Sequence, residues 1–134
     1  MPAKPERQLA RLRARFEHHA QEIARLGFLL KGSLLRRFKE CSSPGCACHT
    51  DPDRLHGPYW QWTTKVNGKT VSRTLSEEQV NRYREWMENA RRFEAIVRDL
   101  YELSSQADAV LRSQERQSAD RKERAPRRRT RSRS

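Results

Sequence analysis

The chain has 134 residues, 34% of them hydrophobic and 34% charged, with a formal net charge of +12. That is the scale of one domain, without enough apolar material for a large core, and no apolar run approaches the roughly 20 residues needed to cross a bilayer. The excess of cation, at a sequence pI near 10.6, favours polyanionic partners, nucleic acid first.

Taken in order, residues 1–5 read as a flexible start. Glu6 to Leu30 then reads as a helix, with Leu9, Leu12, Phe16, Ile23, Leu26 and Leu30 at alternating steps of three and four and His19 filling the gap. Such spacing is the narrow seam of paired helices. Gly32-Ser33 interrupts it, and Ser33 to Glu40 reads as a second helical piece, with Leu34, Leu35 and Phe38 on one side and Arg36, Arg37 and Lys39 on the other. Helix 1 is thus expected over 6–40, broken near 32.

The next stretch, residues 41–57, holds all three cysteines and two of the four histidines. Cys41, Cys46 and Cys48 are separated by turn chemistry at Pro44-Gly45, which lets the backbone double back so that sulfurs converge. An odd number of cysteines fits a disulfide framework poorly, and no signal-peptide pattern opens the chain. Three thiolates and an imidazole complete a tetrahedral shell for structural Zn2+. His56 is preferred as fourth ligand because it returns at the far end of a loop. His49, adjacent to Cys48, and Asp51 are second choices. Free thiols, or a redox pair such as Cys46/Cys48 or Cys41/Cys46, are the alternatives.

After Gly57-Pro58, two runs of aromatic and β-branched residues flank Asn67-Gly68, the favoured pair for a type I′ hairpin turn. A two-residue turn fixes the register: Val66 faces Lys69, Thr64 faces Val71, Trp62 faces Arg73, and Trp60 faces Leu75. Those side chains share an apolar face, with Arg73 placed to lie over Trp62. Tyr59, Gln61, Thr63, Lys65, Thr70, Ser72 and Thr74 share a polar one. The hairpin occupies 58–75 and needs a neighbour, since an isolated hairpin is marginal in water.

Ser76 and Gln79 then form a capping box ahead of a long helix over 76–117. Its expected seam is Tyr83, Trp86, Ala90, Phe93, Val97, Leu100, Ser104, Ala107 and Leu111. Two heptad helices around a compact insertion should fold back on each other. The fold class is therefore mainly α with a small β-hairpin: an antiparallel coiled-coil hairpin enclosing a zinc-knuckle insertion, within a single helical domain over 6–117. From Ser118 to Ser134 eight Lys or Arg stand against Asp120 and Glu123. This tail, 118–134, is too polar to bury surface and is expected to be disordered.

Taken together, Cys41-Ser42-Ser43-Pro44-Gly45-Cys46-Ala47-Cys48, His56-Gly57-Pro58-Tyr59, Gly68-Lys69-Thr70-Val71-Ser72-Arg73 and Arg91-Arg92-Phe93 resemble a family of small, basic bacterial proteins of unknown function. The resemblance covers roughly residues 20 to 110 and implies an accessory protein of mobile-element contexts. It carries no activity with it.

The function expected is that of a nucleic-acid-binding accessory protein; the residues do not separate DNA from RNA, and the mobile-element resemblance points to double-stranded DNA. Thr63, Lys65, Lys69, Thr70 and Ser72 would reach base edges, and Arg36, Arg37, Arg127, Arg128 and Arg129 would hold phosphate. The setting is cytoplasmic, and nucleoid-associated if the ligand is DNA. The alternative is a coiled-coil adaptor that binds a partner protein or a second copy through its seam, without reading nucleic acid. No nucleophile–base pair, paired carboxylates or phosphate-cradling glycine loop is visible, so neither an enzyme nor a small-molecule substrate is expected.

Overall fold

In the structure, a computed structural model in which residues 3–124 are described, the elements run helix, three strands, helix. They are α1 (Lys4–Arg25), β1 (Ser33–Lys39), β2 (His56–Val66), β3 (Lys69–Leu75) and α2 (Glu77–Arg124), with short 3-10 turns at Ala47–His49 and Pro52–Arg54. The protein is mainly helical, with one antiparallel sheet in the order β1-β2-β3.

The hairpin follows from its turn. Asn67 and Gly68 both have positive φ, 51° and 79°, as a type I′ turn requires. The ladder then pairs Val66 with Lys69, Thr64 with Val71, Trp62 with Arg73 and Trp60 with Leu75, the register expected from the sequence. The Arg73 guanidinium lies 5.5 Å from the centre of the Trp62 ring.

The third strand departs from the expectation. Ser33 to Glu40 is not helical; Ser33–Lys39 is a strand paired with β2, Leu34 opposite Trp62 and Arg37 opposite Tyr59. Leucine and arginine are good helix formers, but pairing with β2 outweighs a preference worth only tenths of a kcal/mol per residue. Gly32 permits the approach. Its φ is +132°, and a methyl group there would stand 2.7 Å from the Thr63 carbonyl oxygen and closer still to Trp62 Nε1. That Nε1 donates to the Lys31 carbonyl at 3.0 Å. Gly32→Ala is therefore expected to cost about 2–4 kcal/mol through backbone strain and overpacking together, measured as a lowered midpoint in urea.

The apolar sheet face packs on the first turns of α2. Trp62, Leu75, Val80, Tyr83 and Met87 are buried together, with Leu30, Leu34, Trp60 and Val71 against them. Trp62 and Tyr83 meet edge to face at 5.4 Å. Residues 26–32 run along the same helix: Leu30 N–H donates to the Trp86 carbonyl and Asn89 Nδ2 to that of Phe28.

At the start of α2, Gln79 N–H donates to Ser76 Oγ while Ser76 N–H donates to Gln79 Oε1 at 2.9 Å, the reciprocal box read from the sequence. Ser76→Ala should cost about 1 kcal/mol, seen as a matching drop in thermal stability.

Several boundaries differ from the sequence reading. α1 begins at Lys4 and ends at Arg25 rather than continuing to Leu30, and α2 continues to Arg124, so residues 118–124 are helical. The rest of the expected tail, with Arg127, Arg128 and Arg129, lies outside the described residues. In place of one helical domain the chain divides into two compact units. One is residues 26–94; the other combines α1 with α2 from Ala95 onward. The buried line of α2 keeps Tyr83 and Ala90 of the expected seam but otherwise departs from it. Val80, Met87, Ile96 and Leu103 are buried, whereas Ser104 is exposed, its hydroxyl donating to the Leu100 carbonyl at 2.8 Å. Among the described residues no helix is long and apolar enough to cross a membrane.

Candidate metal centre

The ladder between β1 and β2 sets the geometry of the cysteine loop. Lys39 pairs with His56 at its end, so Cys41 leaves the sheet where His56 enters it. Between them the chain tightens into two 3-10 turns. Cys46 N–H donates to the Ser43 carbonyl and His49 N–H to that of Cys46, which turns Cys46 and Cys48 back toward the sheet.

The donor atoms of Cys41, Cys46, Cys48 and His56 all lie within 4.8 Å of one another and could hold a metal ion. Within the group, Cys41 Sγ stands 3.6 Å from Cys48 Sγ and Cys46 Sγ stands 3.4 Å from His56 Nε2. For metal–sulfur and metal–nitrogen bonds of about 2.3 and 2.0 Å, a tetrahedron has edges of about 3.8 and 3.6 Å. Those two separations are close to what such a shell requires, and the remaining pairs lie within 4.8 Å. Cys48 is buried at 2% exposure, and its sulfur accepts from the Cys41 N–H at 3.4 Å. Donation to a sulfur is the outer support that orients a thiolate ligand.

His49 and Asp51, the other candidates for fourth ligand, are occupied elsewhere. His49 Nε2 contacts the Ser43 carbonyl at 2.8 Å and Nδ1 the Glu40 carboxylate at 3.2 Å. Both partners are acceptors, so both ring nitrogens are satisfied only in the imidazolium form. Its pKa is accordingly raised, by Ser43 first and Glu40 second. Asp51 accepts from the Asp53 N–H, capping the second turn, and pairs with Arg54 at 3.6 Å.

The three thiols differ in acidity. The Ser43 backbone holds Cys41 below its ordinary value. Cys46 is lowered to about 6 by hydrogen bonding to the Cys48 backbone, then by His56. At Cys48 the Cys41 backbone pulls downward, but burial and the neighbouring sulfurs outweigh it and push the thiol up to about 11. His56 is raised, chiefly by Cys46 and then Cys41. Crowded sulfurs resist sharing negative charge; a divalent cation held by these residues would remove that resistance and favour all three as thiolates.

A family model for a domain of unknown function, DUF6788, matches residues 6–89. The chain belongs to this family. The DUF6788 match takes in α1 from Glu6 onward, the whole sheet, the cysteine loop and the first turns of α2. No curated protein and no solved structure matches the chain.

The residues expected to touch nucleic acid divide between the two faces of the sheet. Thr63 pairs with Ser72, Lys65 with Thr70, and Arg37 with Tyr59; by alternation all of these lie on the face opposite Trp62. There Arg37 donates to Gln61 at 3.0 Å, and the hydroxyls of Thr63 and Ser72 stand 3.2 Å apart. Arg36 is on the other face, its guanidinium 5.8 Å from the Trp60 ring centre. Lys69 pairs with Val66 at the hairpin tip, on the Trp62 side.

Two features of this region were not foreseen. With β1 in the sheet, Leu35 joins Tyr59 on the open face, 48% and 41% exposed. Arg84 of α2 lies over Trp60 at 4.6 Å. Nothing in the sequence pattern marks the second. The first needed only the recognition that Leu34 and Leu35 point opposite ways in a strand.

Proposed function

We propose that this protein binds nucleic acid, double-stranded DNA in particular, through the open face of its sheet, and that structural zinc at Cys41, Cys46, Cys48 and His56 holds that sheet in shape. One observation carries the binding: the three strands contain Arg36, Arg37, Lys39, Lys65, Lys69 and Arg73 and no Asp or Glu. Arg37, Lys65 and a row of hydroxyls share the face opposite Trp62 and its packing on the first turns of α2. Cations hold phosphate, and hydroxyls and the Gln61 amide supply donors and acceptors for base edges.

Zinc is favoured by ligand chemistry. Three thiolates and an imidazole are a soft, nitrogen-containing set, and the separations suit a tetrahedron rather than the octahedral oxygen shell of magnesium or calcium. Four protein donors leave no open position for water, which argues for a binding rather than a catalytic role. In this reading α1 and the later part of α2 form an antiparallel coiled-coil hairpin, and the protein works in the cytoplasm at the nucleoid. A mobile-element setting would suit such an accessory protein.

The test is titration of labelled duplex DNA at two salt concentrations, with a single-stranded oligonucleotide beside it. Phosphate-driven binding weakens steeply as salt rises. Duplex binding absent even at low salt would leave the adaptor reading in its place, and preference for the single strand would keep the surface but change its ligand.

A further inference from the structure

The helical unit poses a question that nucleic-acid binding does not answer. α1 buries none of its residues, although Leu9, Leu12, Phe16 and Ile23 lie along one side. With α2 it lines an apolar groove of about 560 Å³, formed by Leu12 and Phe16 together with Leu103, Ala107 and Leu111. Phe16 and Leu111 are 38% and 43% exposed. Two helices have no enclosed interior, and four are the usual number that give one.

The charges at the groove indicate what covers it. On a protein of net charge +12, its only charged lining residues among those described are one cation and one anion, Arg13 and Glu17. They are one helical turn apart on α1 and form no ion pair with each other among the described residues. A polyanion finds no excess of positive charge there. A twofold contact between copies does find a match, because an isologous interface places each group opposite the complement it carries itself. Two α1 helices packed antiparallel about an axis near Arg15 set Arg13 opposite the partner's Glu17, and Glu17 opposite the partner's Arg13.

We infer that this groove is the contact through which two copies of the chain pair, α1 against α1. The full-length protein, freed of nucleic acid, should be a concentration-dependent dimer by sedimentation equilibrium and light scattering. Arg13→Glu alone and Glu17→Arg alone should each weaken pairing by about tenfold or more, because each sets like charges against one another.

The double exchange, Arg13→Glu with Glu17→Arg, should restore it. Mixing the two single variants should also restore it, as a heterodimer, since each then supplies the sign the other lacks. Phe16→Glu should give a monomer with an unchanged far-ultraviolet dichroism spectrum. A monomer at all accessible concentrations, a stoichiometry other than two, or a dimer indifferent to the charge reversals would overturn the inference. DNA titration of the Phe16→Glu monomer reads the sheet surface separately, so the two proposals fail independently.

Discussion

Cys48→Ser is expected to strip the bound metal and cost the protein several kcal/mol. Cys48 is the buried member of the cluster, at 2% exposure, with its sulfur 3.6 Å from that of Cys41. Structural zinc binds small domains with apparent free energies on the order of 10 kcal/mol, comparable to the whole stability of about 5–15 kcal/mol typical of a domain. Part of that energy would order residues 40–56, otherwise held by turn hydrogen bonds and the exposed pairs His49–Glu40 and Asp51–Arg54. The remainder stabilises the end of the β1–β2 ladder. By contrast, Arg54→Ala, at a 70% exposed side chain in a surface pair, should change stability by less than about 1 kcal/mol.

The measurements are metal content of protein purified without chelator and thermal unfolding of both variants. Wild type should carry about one ion per chain and Cys48→Ser almost none. Replacing the ion with cobalt should give the visible spectrum of a tetrahedral thiolate site. Wild-type protein that arrives metal-free, takes up no zinc and melts where Cys48→Ser melts would sink the centre.

Pairing Arg37→Glu with Lys65→Glu is expected to remove most DNA affinity at moderate salt while leaving the fold intact, since both residues are on the open sheet face away from the core. Each cation that neutralises a phosphate contributes about one unit to the slope of log affinity against log salt. The double variant should therefore flatten that slope by about two and weaken binding by far more than tenfold at low salt. The control is Arg98→Glu with Arg116→Glu on α2, which lowers net charge equally. If the protein is only a basic body attracting DNA from every side, the two variants will bind alike, and the sheet surface is refuted.

Where local chemistry admits one geometry, the sequence was enough to read the structure. Asn67-Gly68 allows a two-residue turn and hence one register. Ser76 and Gln79 can satisfy each other in only one way, and three cysteines spaced across a turn converge. The failures arise where distant contacts decide. Ser33–Lys39 carries Leu, Leu, Arg, Arg and Phe, which serve a helix as readily as a strand, and only β2 lying alongside selects the strand. The α2 seam was drawn as if its partner were another helix throughout. Its first turns instead meet the broad face of a sheet, so Val80 and Met87 are drawn in beside Tyr83, and the line farther along settles on Ile96 and Leu103 rather than Ser104. A heptad pattern describes a helix's apolar side; what it packs against has to come from elsewhere.

The strand order carries one more consequence. β1 and β3 are the outer strands, and unpaired strand backbone invites a second molecule to extend the sheet, the first step toward aggregation. Arg36, Arg37 and Lys39 along one margin, and Lys69 and Arg73 along the other, make that approach electrostatically unfavourable. The cationic borders thus act as a colloidal safeguard, apart from the binding role proposed for the sheet. Their protection fades as ionic strength rises, so concentrated stocks of this protein should keep best in dilute salt.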